Sequence, residues 1–132
     1  MSQRPVAIGL LLCEQVIVEA RTGNITPVNC FLRRTVSTVP SEGISFIALA
    51  FLTDGSGTVD LEVTIQRLDN LEEVYRRTYA YRFQNPLQEV RFLFRVRDCS
   101  FPVAGEYQLS LLADGELLAQ RKLRIVQEDT GS

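Results

Sequence analysis

The amino-acid sequence predicts an all-β protein, an antiparallel β-sandwich of the immunoglobulin-like type with about eight or nine strands. Short segments alternate between apolar and polar residues, and turn-forming residues recur about every 8 to 12 positions. No segment keeps the roughly 3.6-residue period of an amphipathic helix. Asp114-Gly115 separates two extended segments and suits a two-residue β-turn in which both residues take positive φ.

The closing hairpin, residues 100–126, carries the clearest architectural signal. Tyr107 stands two residues before Leu109, which the alternation places in the core. Immunoglobulin-type sandwiches have a tyrosine at this spacing, and its hydroxyl binds the backbone of the same corner. We therefore predict that Tyr107 anchors the sandwich and belongs to no binding site.

The first part of the chain predicts two extended segments joined by a turn. Residues 6–13 are apolar on both faces, as in a strand buried between layers, and residues 16–20 continue them. Residues 22–24 form a turn, and residues 25–35 return as one strand. Pro27 cannot donate a ladder hydrogen bond, so we expect this returning strand to be an edge strand or to be kinked near its start.

The most hydrophobic predicted strand covers residues 44–53. Ile47, Leu49 and Phe51 lie on one face of it, and the opposite face is apolar as well. A strand with one face in water does not have this pattern. The second face is therefore covered either by another part of the chain or by a second subunit. In the second case Ile47, Leu49 and Phe51 form the dimer face.

The later strands alternate more regularly. Three further strands are predicted, each with one face toward the core and one toward the solvent: residues 58–67, 74–83 and 88–96. The closing hairpin follows them. Residues 127–132 read as a loose polar tail. The whole chain, residues 1–132, has the length of a single domain, and 45% hydrophobic residues are enough for a core.

The composition argues against several classes of function. The chain has no histidine, which removes the commonest general base and the commonest metal ligand. Residues 54–60 lack the alternating oxygen ligands and the closing glutamate of a calcium loop. We expect a non-enzyme with no catalytic residue, cofactor or metal. A net charge of −2 argues against nucleic acid or a membrane as the partner. No segment reaches the roughly 18 apolar residues of a membrane span, so we expect a cytoplasmic protein.

The three cysteines, Cys13, Cys30 and Cys99, have no CxxC spacing, and we expect free thiols. A Cys13–Cys30 bridge requires neighbouring strands, and the sequence does not decide whether the two are close enough. A reactive Cys99 would need a cation such as Arg97 to lower its pKa, and Asp98 between them would offset that effect. We expect an inert Cys99.

Five arginines on two consecutive predicted strands make the most suggestive surface. This candidate polyanion face consists of Arg76, Arg82, Arg91, Arg95 and Arg97. Basic residues beside aromatic ones can bind single-stranded nucleic acid on a β-sheet. Cross-strand ion pairs with Asp60 and Glu62 explain the same charges without any ligand.

Three blocks of turn and core residues also stand out. They are residues 10–16 with 22–24, residues 85–90, and residues 101–107 with 114–115. Together they resemble a bacterial family of small single-domain proteins of unknown function, and the resemblance extends from Leu10 to Val126. It implies a bacterial cytosolic protein and an antiparallel sandwich. It implies no catalytic or ligand-binding residue.

The function that we expect from these observations is that of a non-enzymatic binding or assembly module, whose partner is a second copy or an unidentified protein. The alternative is recognition of nucleic acid or another polyanion through the arginine-bearing face.

Overall fold

A computed structural model describes residues 3–129 and contains nine β-strands. The alternation in the sequence corresponds to the two-residue side-chain period of these strands. No residue between 3 and 129 is helical. The strands are β1 (Val6–Val18), β2 (Ile25–Cys30), β3 (Arg33–Val36), β4 (Ile44–Thr53), β5 (Gly57–Arg67), β6 (Glu73–Phe83), β7 (Val90–Cys99), β8 (Gly105–Ala113) and β9 (Glu116–Gln127).

The strands form two sheets. One has four strands in the order β2-β1-β4-β7, and the other has five in the order β3-β9-β8-β5-β6. Neighbouring strands are antiparallel except β3 and β9, which run parallel. This arrangement is that of an immunoglobulin-like sandwich, in which one sheet contains β1, β4 and β7 and the other contains β9, β8, β5 and β6. The predicted fold class is confirmed.

The main core lies between the two sheets and takes alternate residues from their strands. Leu61, Leu109 and Leu123 of the five-stranded sheet are fully buried in it. Leu12 and Leu52 of the four-stranded sheet belong to the same cluster. Burial of each such side chain contributes about 1.5–3 kcal/mol, so the contact between the sheets is the main source of stability.

The closing hairpin has the predicted geometry. Tyr107 is fully buried, and its hydroxyl donates a hydrogen bond of 2.6 Å to the carbonyl of Val103. Its ring meets that of Phe101 edge-on, with the centroids 4.8 Å apart. At the turn, Asp114 and Gly115 have φ values of 48° and 83°, as a type I′ turn requires. The interpretation of Tyr107 as an anchor of the sandwich is confirmed.

The prediction of one strand over residues 25–35 is wrong, because the chain changes sheets in this segment. The amide of Phe31 still donates to the carbonyl of Leu12 in β1, at 2.9 Å. The carbonyl of Leu32 then accepts from the amide of Arg124 in β9, at 2.8 Å. Both parts are extended, so the local residue pattern does not reveal the crossing.

The hairpin formed by β1 and β2 folds over the outer face of the four-stranded sheet, and we call it the covering hairpin. Pro27 lies in β2, which pairs only with β1, so the predicted edge position is confirmed. At the tip of the hairpin, the carbonyl of Gly23 accepts a 2.9 Å hydrogen bond from the guanidinium of Arg91 in β7. Val16 and Ile25 of the hairpin pack against a second apolar cluster, whose buried members are Cys13, Ile47 and Leu49.

The covering hairpin explains why β4 is apolar on both faces. Ile47 and Leu49 are 5% and 0% exposed, and Phe51 is half-buried beside them. Of the two ways to cover this face, the structure shows the internal one. The homodimer stays a prediction, but the side chains proposed for its interface are already packed within the chain.

The chain continues in regular structure beyond the predicted end of the closing hairpin. Strand β9 includes Gln127, and the amide of Glu128 donates to the carbonyl of Val36 at 2.6 Å. The prediction of a loose tail is therefore wrong at residues 127 and 128. Its last part, residues 130–132, lies outside the described residues.

Candidate anion-binding surface

Strands β6 and β7 are consecutive in the chain and are edge strands of different sheets. The register places Arg95 and Arg91 of β7 beside Ile47 and Phe51, on the outer face of the four-stranded sheet. Arg97, two residues after Arg95, is on the same outer face. Arg76 and Arg82 are on the outer face of the five-stranded sheet, as Arg76 lies opposite Thr64 and Arg82 opposite Thr58. The predicted polyanion face is thus divided between two surfaces that point in different directions.

Arg76 is neutralised by its neighbours. Its guanidinium lies 2.7 Å from a carboxylate oxygen of Glu62 on β5 and 2.7 Å from one of Glu73. The hydrogen bond to Glu73, together with the negative charge of both carboxylates, raises the pKa of Arg76. This is the cross-strand pairing that the sequence offered as an explanation without a ligand. The two carboxylates offset the charge of Arg76, so this residue contributes little to the attraction of an anionic partner.

Arg77, which the sequence analysis missed, joins two of the predicted arginines. It lies opposite Val63 on the core-facing side of β6, yet it is exposed because β6 is an edge strand. Its side chain lines a depression of about 270 Å³ between the edges of the two sheets. The residues around this depression are Arg77, Tyr79, Leu93, Arg95 and Arg97. We call Arg77, Arg95 and Arg97 the arginine cluster.

Two tyrosines of β6 hold the cluster against the sandwich. The hydroxyl of Tyr75 donates to the carbonyl of Arg95 at 3.4 Å, which links the two edges. Burial raises the pKa of the Tyr75 hydroxyl, and a hydrogen bond with Arg77 partly opposes that shift. The ring of Tyr79 packs on Phe94 in the core, with the centroids 5.4 Å apart. The backbone beneath the cluster is therefore anchored to the interior.

The arginine cluster has no counter-charge of its own. Among residues 3–129, the salt bridges involve other arginines, and none joins Arg77, Arg95 or Arg97 to a carboxylate. A second depression, of about 280 Å³, extends from Arg95 and Arg97 to the base of the covering hairpin at Glu14. Guanidinium groups bind phosphate and carboxylate oxygens in pairs of hydrogen bonds. This arrangement can therefore hold an anionic group, and Glu14 marks the end at which an anion is repelled.

A signal for Arg77 was present in the sequence. Tyr75, Tyr79 and Phe83 form a core-facing aromatic series on β6, and Arg77 interrupts it. An inward-pointing charge is one of the devices that protect an exposed sheet edge from pairing with other chains. The interruption could have indicated that β6 is an edge strand and that Arg77 emerges beside the next strand.

Burial makes two of the three thiols ionise less readily than a free cysteine. Cys99 is 2% exposed, and burial raises the pKa of its thiol to about 12. Arg97 does not lower this pKa, so the structure agrees with the expectation of an inert Cys99. Burial also raises the pKa of Cys13, and the nearby charge of Cys30 adds to that shift.

Two further features of the described chain bear on function. Between residues 3 and 129, no three Cys, Asp or Glu side chains come together in a way that could hold a metal ion. The same part of the chain contains no helix that is long and apolar enough to cross a membrane.

Comparison with known proteins places the chain in a family without assigning an activity. No curated protein matches it. One solved structure, described as an immunoglobulin-like protein from Pseudomonas aeruginosa, has 13% sequence identity and a TM-score of 0.43 over 93% of this chain and 97% of that chain. A family model matches residues 9–126, which confirms the resemblance seen in the sequence. The chain belongs to DUF6941, a family of unknown function.

Proposed function

We propose that this protein is a non-catalytic binding module that holds an anionic polymer at the arginine cluster. The observation that carries the proposal is the convergence of Arg77, Arg95 and Arg97 on one depression without a carboxylate partner. Like charges placed together cost free energy unless an anion neutralises them. Phosphate groups suit this site because each guanidinium can donate two parallel hydrogen bonds to them.

The shape of the surface favours an extended ligand. Arg95 and Arg97 are two residues apart on one face of β7, so their Cα atoms are about 6.6 Å apart. Both residues line the two neighbouring depressions, so the positive surface extends from the cluster into the second depression and ends at Glu14. Tyr79 lies at its margin, where an aromatic ring can contact a base or a sugar. Single-stranded nucleic acid fits this combination of arginine side chains and the Tyr79 ring.

The overall charge of −2 is compatible with this local site. Acidic residues neutralise Arg76 on the opposite outer face, whereas Arg77, Arg95 and Arg97 line one depression without such pairing within residues 3–129. A ligand that neutralises three arginines should show a salt dependence with a slope of about −2 in log affinity against log salt, as expected for a single strand.

Fluorescence anisotropy with a labelled single-stranded oligonucleotide at low salt tests the proposal. We expect Arg95→Ala and Arg77→Ala each to weaken binding several-fold and to reduce the salt slope by about 0.7. Arg82→Ala is the matched control, because it removes the same charge from the outer face of the other sheet. Equal losses for Arg82→Ala and Arg95→Ala, with no loss for Arg77→Ala, would support the five-residue face predicted from the sequence instead. Absence of binding at tens of micromolar protein in low salt would end the proposal.

A further inference from the structure

Cys13 and Cys30 lie directly opposite each other in the antiparallel pair of β1 and β2. Opposed residues in such a pair have Cα atoms about 4.5 or 5.5 Å apart, depending on the hydrogen-bond pattern. Both distances fall within the range of about 4.4–6.8 Å that disulfides span. Both thiols are free in the structure. We propose that Cys13 and Cys30 are a redox-active pair that a small-molecule disulfide converts into a bridge at the base of the covering hairpin.

The register of β1 and β2 brings the two cysteines within reach of each other. Opposed residues of an antiparallel pair project from the same face, with Cβ atoms about 4.5–5.5 Å apart. A disulfide needs a Cβ separation of about 3.5–4.5 Å, so an approach of roughly 1 Å is sufficient. Cys30 is the last residue of β2, and this edge strand has a free side. Asn29 before it takes a positive φ of 56°, so the regular ladder is already interrupted there. The residues after Cys30 are held, because Phe31 is hydrogen-bonded to Leu12 and Leu32 to Arg124, so rotation of the two cysteine side chains supplies this approach.

The different burial of the two thiols sets the order of the steps. Cys30 is exposed, whereas Cys13 is fully buried in the cluster with Ile47 and Leu49. Cys30 therefore reacts first: it loses its proton and attacks one sulfur of oxidised glutathione, which releases one glutathione thiolate. Cys13 then loses its proton and attacks the sulfur of Cys30 in this mixed disulfide, which releases the second glutathione thiolate.

The reaction balances without any other reactant. One S–S bond breaks in oxidised glutathione, and one S–S bond forms between Cys13 and Cys30. The protein loses two electrons and two protons, which end on two glutathione thiols. Cys99 takes no part, because it lies opposite Ile44 in the sheet and is buried in the core between the sheets.

The bridge would tie down the segment that covers the outer face of the four-stranded sheet. It closes a loop over residues 13–30, and the tip of that loop is held only by the hydrogen bond from Arg91 to Gly23 and by apolar contacts. In the oxidised protein, amide hydrogen exchange in the covering hairpin should slow several-fold, whereas exchange in the β8–β9 hairpin should be unchanged.

The experiment is incubation of the folded full chain with oxidised glutathione, followed by alkylation, tryptic digestion and mass spectrometry. Trypsin cleaves after Arg21, between the two cysteines, so the bridge appears as two peptides joined until reduction. We expect these linked peptides as the main product in the wild-type chain and in Cys99→Ser.

Two further variants separate the steps. Cys13→Ser should stop at the glutathione adduct on Cys30. Cys30→Ser changes an exposed residue, so it should fold, and it should show neither adduct nor bridge. Accumulation of the Cys30 adduct in the wild-type chain without the linked peptides would overturn the proposal, and so would a bridge that includes Cys99. Circular dichroism of each variant confirms that the folded protein is the one tested.

Discussion

The two outer faces of the sandwich differ in how they meet the solvent. The outer face of the four-stranded sheet is apolar at its centre, where Ile47 and Leu49 lie under the covering hairpin. The outer face of the five-stranded sheet has no such cover and is polar at its centre. Thr64 and Ser110 lie opposite each other there, and Ser110 accepts a 3.2 Å hydrogen bond from Gln120.

The two faces also surround Arg76 and Arg95 with different neighbours. On the polar face, acidic residues of the same sheet reach Arg76 and neutralise it. Beside the covered face, Arg95 lies opposite the apolar Ile47 of β4, and within residues 3–129 no salt bridge joins Arg95 or Arg97 to a carboxylate. Arg95 thus stays unpaired beside an apolar neighbour, whereas carboxylates of its own sheet neutralise Arg76.

The largest expected effect compares the same truncation on both faces. Leu49→Ala removes a fully buried side chain and should lower the free energy of unfolding by about 3–5 kcal/mol. Leu112→Ala removes a half-buried leucine from the outer face of the five-stranded sheet and should cost about 1 kcal/mol. Urea denaturation measures both. Equal losses would mean that the covering hairpin does not create a second core.

The second effect is the stabilisation of the covering hairpin by a disulfide. If Cys13 and Cys30 are bridged, the closed loop of roughly 18 residues should stabilise the protein by about 3 kcal/mol. The oxidised and reduced wild-type chains are compared by urea denaturation, with Cys30→Ser as the control that should not respond to oxidation. A bridge that forms but lowers stability would show that the native hairpin geometry is strained by it.

The third effect concerns the tip of the covering hairpin. Arg91→Ala removes the hydrogen bond to the carbonyl of Gly23 and should weaken the local stability of the hairpin by about 1 kcal/mol. Hydrogen exchange of the hairpin amides reports this change. Arg97→Ala, on the same strand and without that bond, is the control. The same increase in exchange for both variants would exclude a specific role of the Arg91 contact.

The smallest effect tests the polar face. The side chain of Arg76 is exposed, so Arg76→Ala should change the midpoint of urea denaturation no more than Arg82→Ala does, despite the ion pairs with Glu62 and Glu73. A clear destabilisation by Arg76→Ala alone would show that the ion pairs of this face contribute to stability as the apolar cluster of the other face does.

The fold could be predicted from the sequence largely because strands and turns leave local signals. The alternation along β5 and β9 and the Asp114-Gly115 turn each depend on neighbouring residues alone. The segment of residues 25–35 could not be assigned in the same way. It is extended throughout, and its division between two sheets depends on partners in β1 and β9 that are far away in the sequence.

The candidate site was predicted only in part. Arg95 and Arg97 were identified because they share an outward alternation on one strand. Arg77 was not, because its position in the alternation assigns it to the core, and only the edge location of β6 brings it to the surface. Arg76 and Arg82 were grouped with the others because the sequence does not show that their strand belongs to the opposite sheet.

By itself, the sequence determined that this chain is an antiparallel sandwich, where its principal turns lie, and that Tyr107 anchors it. These features follow from side-chain periodicity and from backbone preferences of single residues. The tertiary structure alone decided that the covering hairpin buries Ile47 and Leu49, that Arg77 joins Arg95 and Arg97, and that Cys13 faces Cys30. Each of these depends on which strands become neighbours, and that choice follows from the packing of the whole chain.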